Sequence, residues 1–314
     1  MSQAADTSGP IVIVAVPTAL GGHAAGMERA PATMRRLGLF DLLRGRPGLA
    51  GVELLDGGGV RIEPGFRTDP DRRAKNRAAI AEFLPRERNL VWESLVEAGP
   101  SARLLILGGD CTAHAGALAG IRRARPDRRF AVAWFDAHGD FNTPDTTPSG
   151  NVWGMPFAML LGRGDPELVA AVDGPTASEE DAALLGGQVL DETESRMLAA
   201  SRVAHFGAGM LGTNAGIAAL AGWAEVVASR VAGAYIAVDL DVLDAAGDWA
   251  VQMPEADGIS LESATRGVRT IAAAMPVVGF GATGVNFTGS GDGPKTVEAV
   301  AALAEAAFGR TGPG

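Results

Sequence analysis

The stretch Phe130-Ala131-Val132-Ala133-Trp134-Phe135-Asp136-Ala137-His138-Gly139-Asp140-Phe141-Asn142 opens with six consecutive apolar residues and ends in acid and imidazole. A near-continuous apolar run of this length fits a strand buried on both faces of a parallel sheet. Four further runs have the same form: Ile11 to Pro17, Arg103 to Asp110, Gly233 to Asp241, and Pro276 to Asn286. Between them lie stretches of helical periodicity, starting at Pro31, Asn76, His114, Gly216 and Thr296. Strand alternating with helix predicts a doubly wound α/β fold. Pro85 cannot donate to the carbonyl four residues back, so it is expected to start a new helix or kink the old one. The polar stretch Val172 to Ala199 carries little pattern and reads as surface loop and helix.

Composition narrows the function. Among the 314 residues, 47% are hydrophobic and 20% charged, the profile of a soluble globular protein. The net charge is −10 and no Lys/Arg-rich tract is present, which argues against nucleic acid or an anionic membrane as partner. No run approaches the roughly 20 apolar residues of a membrane span, and the start lacks the basic-then-apolar order of a secretory signal, so a cytoplasmic location is expected. No linker or internal repeat divides the chain, which reads as one domain over residues 1–314 with loose ends at 1–9 and 310–314. The single cysteine, Cys111, excludes an intrachain disulfide and is the one soft ligand available.

In an open parallel sheet the ligand site lies at the carboxyl ends of the strands. Asp136, His138 and Asp140 alternate there, and period-two spacing in an extended chain aims all three to one side. The run from Gly233 ends in Asp239 and Asp241, followed by Asp244. Alone, either motif reads as turn chemistry. Together, after two buried strands, the carboxylates would repel strongly unless cations sat among them. Carboxylate oxygens with one imidazole suit Mn²⁺ or a similar divalent ion, and there are enough of them for two ions. The third run ends Gly108-Gly109-Asp110-Cys111, where the glycines allow a tight turn and make Cys111 a candidate ligand, against inert packing as the alternative. His114 reads as a helix-face residue with a lesser claim to ligation. His23 and His205 stand in glycine-flanked loops and receive no role.

These three strand ends resemble the ureohydrolase family of arginases, agmatinases and formimidoylglutamases. The family pattern is Gly-Gly-Asp-His, then Asp-Ala-His-x-Asp-x-Asn, then Asp-x-Asp-x-x-Asp. Met27 to Leu39, Thr143 to Asn151 and Val285-Asn286 add similarity across most of the chain. The resemblance implies a three-layer α/β/α fold with a central, mostly parallel sheet, a binuclear manganese site, a small-molecule substrate and a homo-oligomer, trimer or hexamer. Carried over by position, it makes Asp136 and Asp239 bridging ligands, with Cys111 and Asp140 completing one ion and His138 and Asp241 the other. Water between two cations is acidified toward neutrality, and Asp140 would orient the resulting nucleophile and carry its proton to the leaving nitrogen. Asp244 would support a ligand from behind.

The chain departs from the family pattern in three places. Cys111 replaces the histidine of Gly-Gly-Asp-His, a replacement also associated with an enzyme similar to this family that hydrolyses hydroxyguanidine-type arginine. Trp153 stands where arginases have a histidine, and an indole cannot titrate; it walls the pocket or stacks on a planar group. Gly284 stands where the family has the glutamate that holds a guanidinium, so a cationic head group loses its forked partner unless Glu255 or Asp248 fills in. Asn142, Ser149 and Asn151 match positions that grip an α-carboxylate, with turn chemistry as their alternative. The expected function is metal-dependent hydrolysis of a linear C–N bond in an amidine, hydroxyguanidine or related amino-acid-like compound. The alternative is a catalytically diverged metal-binding relative without turnover. A nucleotide-binding reading is weak, because no Gly-x-Gly-x-x-Gly leads into a helix.

Overall fold

The five apolar runs all become strands of one sheet in the computed structural model, which describes residues 4–61 and 72–309. They are β1 (Ile11–Val16), β3 (Arg103–Gly108), β4 (Phe130–Asp136), β7 (Gly233–Asp239) and β8 (Val277–Thr283). Three further strands complete the sheet among the described residues: β2 (Leu54–Gly59), β5 (Ala182–Gly186) and β6 (Ala204–Gly207). The order of the eight is β2-β1-β3-β8-β7-β4-β5-β6, and every neighbouring pair is parallel. The strands that carry the three polar motifs therefore sit together at the centre, with β8 between β3 and β7.

Alternation along each strand divides the core into two layers of side chains. Ile11, Ile13, Leu105 and Leu107 pack on one face with the helices Ala30–Arg36, Asn214–Ala228, Leu261–Ala274 and Gly293–Phe308. Val12, Val14, Leu104 and Ile106 pack on the other with the helices Arg77–Ala98 and Ala113–Ala124. Both faces are covered, which is why these strands read as unbroken apolar runs rather than as alternating ones. Among the described residues no helix is long and apolar enough to cross a membrane.

Of the two outcomes expected at Pro85, a new helix does not occur, since Arg77–Ala98 runs through it. The stretch Val172 to Ala199 contains a fully buried strand, β5, as well as the expected helix, here Glu192–Ala199. Residues 1–3 and 310–314 lie outside the described residues, while Ala5 and Gly9 donate backbone hydrogen bonds to Ala232 and Ser101.

The helices Arg77–Ala98 and Ala113–Ala124 approach closely because glycines face their contact. A Cβ on Gly120 would stand 2.5 Å from Val91 Cγ1 and 2.8 Å from the Arg88 carbonyl oxygen. Gly120→Ala is therefore expected to destabilise the protein by about 1–3 kcal/mol through overpacking, although alanine is the better helix former by about 1 kcal/mol. Urea unfolding reads this as a lowered midpoint; an unchanged or raised midpoint would show that the two helices separate freely.

Candidate metal centre

Each motif reaches the cavity through a backbone device at its strand end. Asp136 closes β4; its Oδ2 accepts from Trp134 Nε1 at 3.1 Å and its Oδ1 from the His138 amide at 2.7 Å. Two residues beyond His138, Asp140 adopts a left-handed backbone, φ 48°, which turns the chain after three acid-imidazole positions. Glu194 supports this turn from beneath, accepting from the Phe141 amide at 2.9 Å and from Asn142 Nδ2 at 3.3 Å. At the end of β7, Asp239 Oδ1 accepts from the Asp241 amide at 3.0 Å, and Asp241 Oδ1 accepts from the Ala137 amide at 3.2 Å. Asp110 is pinned by the amides of Gly21 (2.8 Å) and Thr112 (3.0 Å) and by the Thr18 and Thr112 hydroxyls, so it shapes the turn that presents Cys111.

The side chains converge as two groups that share Asp136. Cys111, Asp136 and Asp239 place one ligand atom each within 4.8 Å of one another, and so do Asp136, His138 and Asp241. Cys111 Sγ donates to Asp239 Oδ2 at 2.7 Å, and His138 Nδ1 lies 3.3 Å from both Asp136 Oδ1 and Asp241 Oδ2. Asp140 is buried, and its Oδ2 has no hydrogen-bond partner among the described residues.

Electrostatics show how strongly this cluster calls for positive charge. Burial, then Asp136 and Asp239, push Asp140 well above the usual carboxylate range, and burial with Asp241 and Asp136 does the same to Asp239. Asp241 rises to about 6, mainly by burial and Asp136. Burial alone would lower His138, but its hydrogen bonds to Asp136 and Asp241 and their charges outweigh that and raise it. Burial and the surrounding carboxylates raise the Cys111 thiol. An orphaned buried carboxylate oxygen, a shared carboxylate and a mixed O, N and S donor set fit a pair of divalent transition ions.

Every expected site residue lines one cavity of about 370 Å³: the six above together with Asn142, Ser149, Asn151 and Trp153. The polar loop residues also carry turn chemistry. Ser149 Oγ accepts from the Asn151 amide at 3.1 Å, Asn142 Nδ2 donates to Asp191 at 2.8 Å, and Asn151 Oδ1 accepts from Lys75 Nζ at 3.0 Å. Trp153 forms a wall, with its ring against His23 (centroids 5.1 Å apart) and over Gly22, where any Cβ would enter the indole. Gly284 has φ +73°, and a Cβ there would stand 1.9 Å from Asp239 Oδ1.

Several residues fall differently from the sequence reading. Asp244 turns its carboxylate to the Ala246 amide at 2.8 Å, capping its own short turn rather than backing a ligand. His114 is fully buried outside the cavity, with Nδ1 2.8 Å from the Tyr235 hydroxyl and Nε2 3.0 Å from Thr283 Oγ1. Asp248 does not line the cavity; Glu255 does, with Oε1 3.5 Å from His138 Nε2. His23, Asp191 and Glu194 line it without a signal of function in their motifs. Asp191 and Glu194 had a structural signal, an acid followed three residues later by glutamate at a helix start, and Asp191 does cap that helix through the Glu194 amide.

The chain matches the arginase family over residues 9–309. It is 30% identical to the arginase of Bacillus caldovelox over 270 residues, 85% of this chain and 87% of that one. With the arginase of Bacillus subtilis (strain 168) it shares 31% identity over 261 residues, 80% and 81% of the two chains. The solved structure of the Bacillus caldovelox arginase superimposes with a TM-score of 0.86 at 27% identity, covering 96% of this chain and 99% of that one.

Two outcomes follow from the geometry. Gly284→Ala forces Asp239 aside and strains the backbone, so weakened uptake of divalent ions is expected in a calorimetric titration, with about 1–3 kcal/mol lost from stability; wild-type uptake would show that Asp239 yields without consequence. Burial lowers His114 from 6.5 to about 3, so between those values the unfolded chain binds the extra proton. Stability present above pH 6.5 is therefore lost as pH falls, by about 2 kcal/mol at pH 5. His114→Gln should lack that component, and unfolding curves of equal pH dependence for the two proteins would refute it.

Proposed function

The chain belongs to the arginase family, and from that premise we propose that it is a binuclear metal-dependent hydrolase of a linear, non-peptide C–N bond. The observation that carries the reading is the pair of ligand groups joined through Asp136 at the floor of the cavity. In this reading Cys111, Asp136, Asp140 and Asp239 would hold one ion, and Asp136, His138, Asp239 and Asp241 would hold the other. Two divalent ions, Mn²⁺ by family resemblance, would supply there a water acidic enough to attack at neutral pH.

The chain's own residues set the rest. Attack forms a C–O bond to a planar carbon and breaks its C–N bond, so a proton must travel from the water to the departing nitrogen. Asp140, buried with one oxygen free, is the group placed to hold that proton and pass it on. Trp153 closes the cavity wall without taking part in proton transfer, because indole does not titrate. Asn142, Ser149 and Asn151 offer hydrogen bonds to an amino-acid-like end group. Gly284 brings no carboxylate of its own to the cavity, whereas Glu255 and Asp191 line it and favour a substrate with a cationic group. An amidine or hydroxyguanidine of amino-acid type meets these conditions.

The deciding experiment reconstitutes metal-free protein with Mn²⁺, counts bound ions, and screens release of urea, ammonia or formamide from guanidino, formimino and amide compounds. Two equivalents and turnover on at least one compound are expected, with Asp140→Asn lowering the rate by roughly 10²–10⁴-fold. Two equivalents with no turnover would make the protein a metal-binding relative, and no bound metal would remove the mechanism altogether.

A further inference from the structure

Three buried polar side chains, Thr283, His114 and Tyr235, connect to Cys111, and none of them lines the cavity. Thr283 ends β8 in register with Asp239 of β7, so it stands beside the candidate bridging carboxylate. Its rotamer is set by a missing side chain: a Cβ on Gly108 would come within 2.5 Å of Thr283 Cγ2. With the methyl lodged there, Oγ1 faces His114 Nε2 at 3.0 Å, the Val238 carbonyl at 3.4 Å and Cys111 Sγ at 3.6 Å. The other imidazole nitrogen of His114 meets the Tyr235 hydroxyl at 2.8 Å.

The count of available protons gives this chain of contacts a direction. A threonine hydroxyl has one proton to donate, and an uncharged imidazole has one N–H and one acceptor nitrogen. If the Tyr235 hydroxyl donates to Nδ1, then His114 Nε2–H donates to Thr283 Oγ1, and the Thr283 proton is free for sulfur or for the Val238 carbonyl. The opposite tautomer commits the Thr283 proton to Nε2 and leaves nothing to give to sulfur. A sulfur bound to a cation has no proton of its own, so only the first arrangement can supply it with a donor.

Taking Cys111 as a metal ligand, we infer that Thr283, held by His114, is a positioning residue that fixes Cys111 Sγ for a divalent cation by donating a hydrogen bond to it. The imidazole near this strand end then acts on the ion indirectly, through a hydroxyl and a sulfur, instead of touching it. Thr283→Val keeps the shape and removes the donor; Thr283→Ser keeps the donor.

The test loads metal-free protein with Co²⁺ and follows the thiolate-to-cobalt charge-transfer absorption through the titration. Thr283→Val is expected to weaken the cobalt site that shows this absorption by about 10–100-fold and to shift the band, while Thr283→Ser restores both. Thr283→Ala reads the same quantity should the valine protein not fold. Wild-type affinity and an unshifted band in a folded Thr283→Val or Thr283→Ala protein would overturn the inference. A Cys111→Ser control separates the two levels: loss of the band supports the ligand assignment beneath the inference, and a band that survives in Cys111→Ser overturns that assignment as well.

Discussion

Mutual repulsion among buried carboxylates is the constraint on which the rest of this structure depends. Asp136, Asp140, Asp239 and Asp241 are all buried, and they crowd around one imidazole and one thiol. Unpaired charges in such a place cost several kcal/mol each, so the cluster persists only with protons or cations among its members. The upward shifts of Asp140, Asp239 and Asp241, set by burial and neighbouring carboxylates, and of His138, set by its bonds to Asp136 and Asp241, express the same demand. A fold that keeps such a cluster must dedicate structure to it. Here the backbone amides of Ala137, His138 and Asp241, the Trp134 indole and the β7–β4 pairing hold the acids in place.

Sheet topology explains how residues more than a hundred positions apart meet. The parallel arrangement puts the carboxyl ends of β3, β8, β7 and β4 along one rim, and each strand delivers one element of the site there. Helices on both faces make those strands apolar throughout, so polar side chains at their ends stand out against them. That contrast makes Asp136, His138, Asp140, Asp239 and Asp241 legible from the order of residues alone.

Legibility ends where a segment's burial comes from its neighbours in space. β2 is Leu-Leu-Asp-Gly-Gly-Gly at one edge of the sheet, with β1 as its one neighbour among the described residues and much of its surface open, so little in its side chains distinguishes it from a turn. β5 is five small or aliphatic residues inside a polar stretch, too short to show a period, and its burial comes from β4 and β6 on either side. Glu194 reaches the cavity from a helix position whose sequence neighbours are ordinary; tertiary placement alone gives it proximity to Asn142. Asp244 misleads in the other direction, since its spacing fits the motif while its own turn has first claim on its oxygens.

Two of the departures from the family pattern meet on one carboxylate. Gly284 lacks the side chain that would strike Asp239, and Cys111 places sulfur one bond beyond its Cβ, 2.7 Å from the same acid. A residue with a Cβ at 284 would displace Asp239 from the position in which Cys111 meets it. Positions 111 and 284 thus share Asp239 as a neighbour, the circumstance in which substitutions are expected to be non-additive. Position 284 brings no carboxylate to the cavity, and Glu255 enters it from another loop, with Oε1 3.5 Å from His138 Nε2.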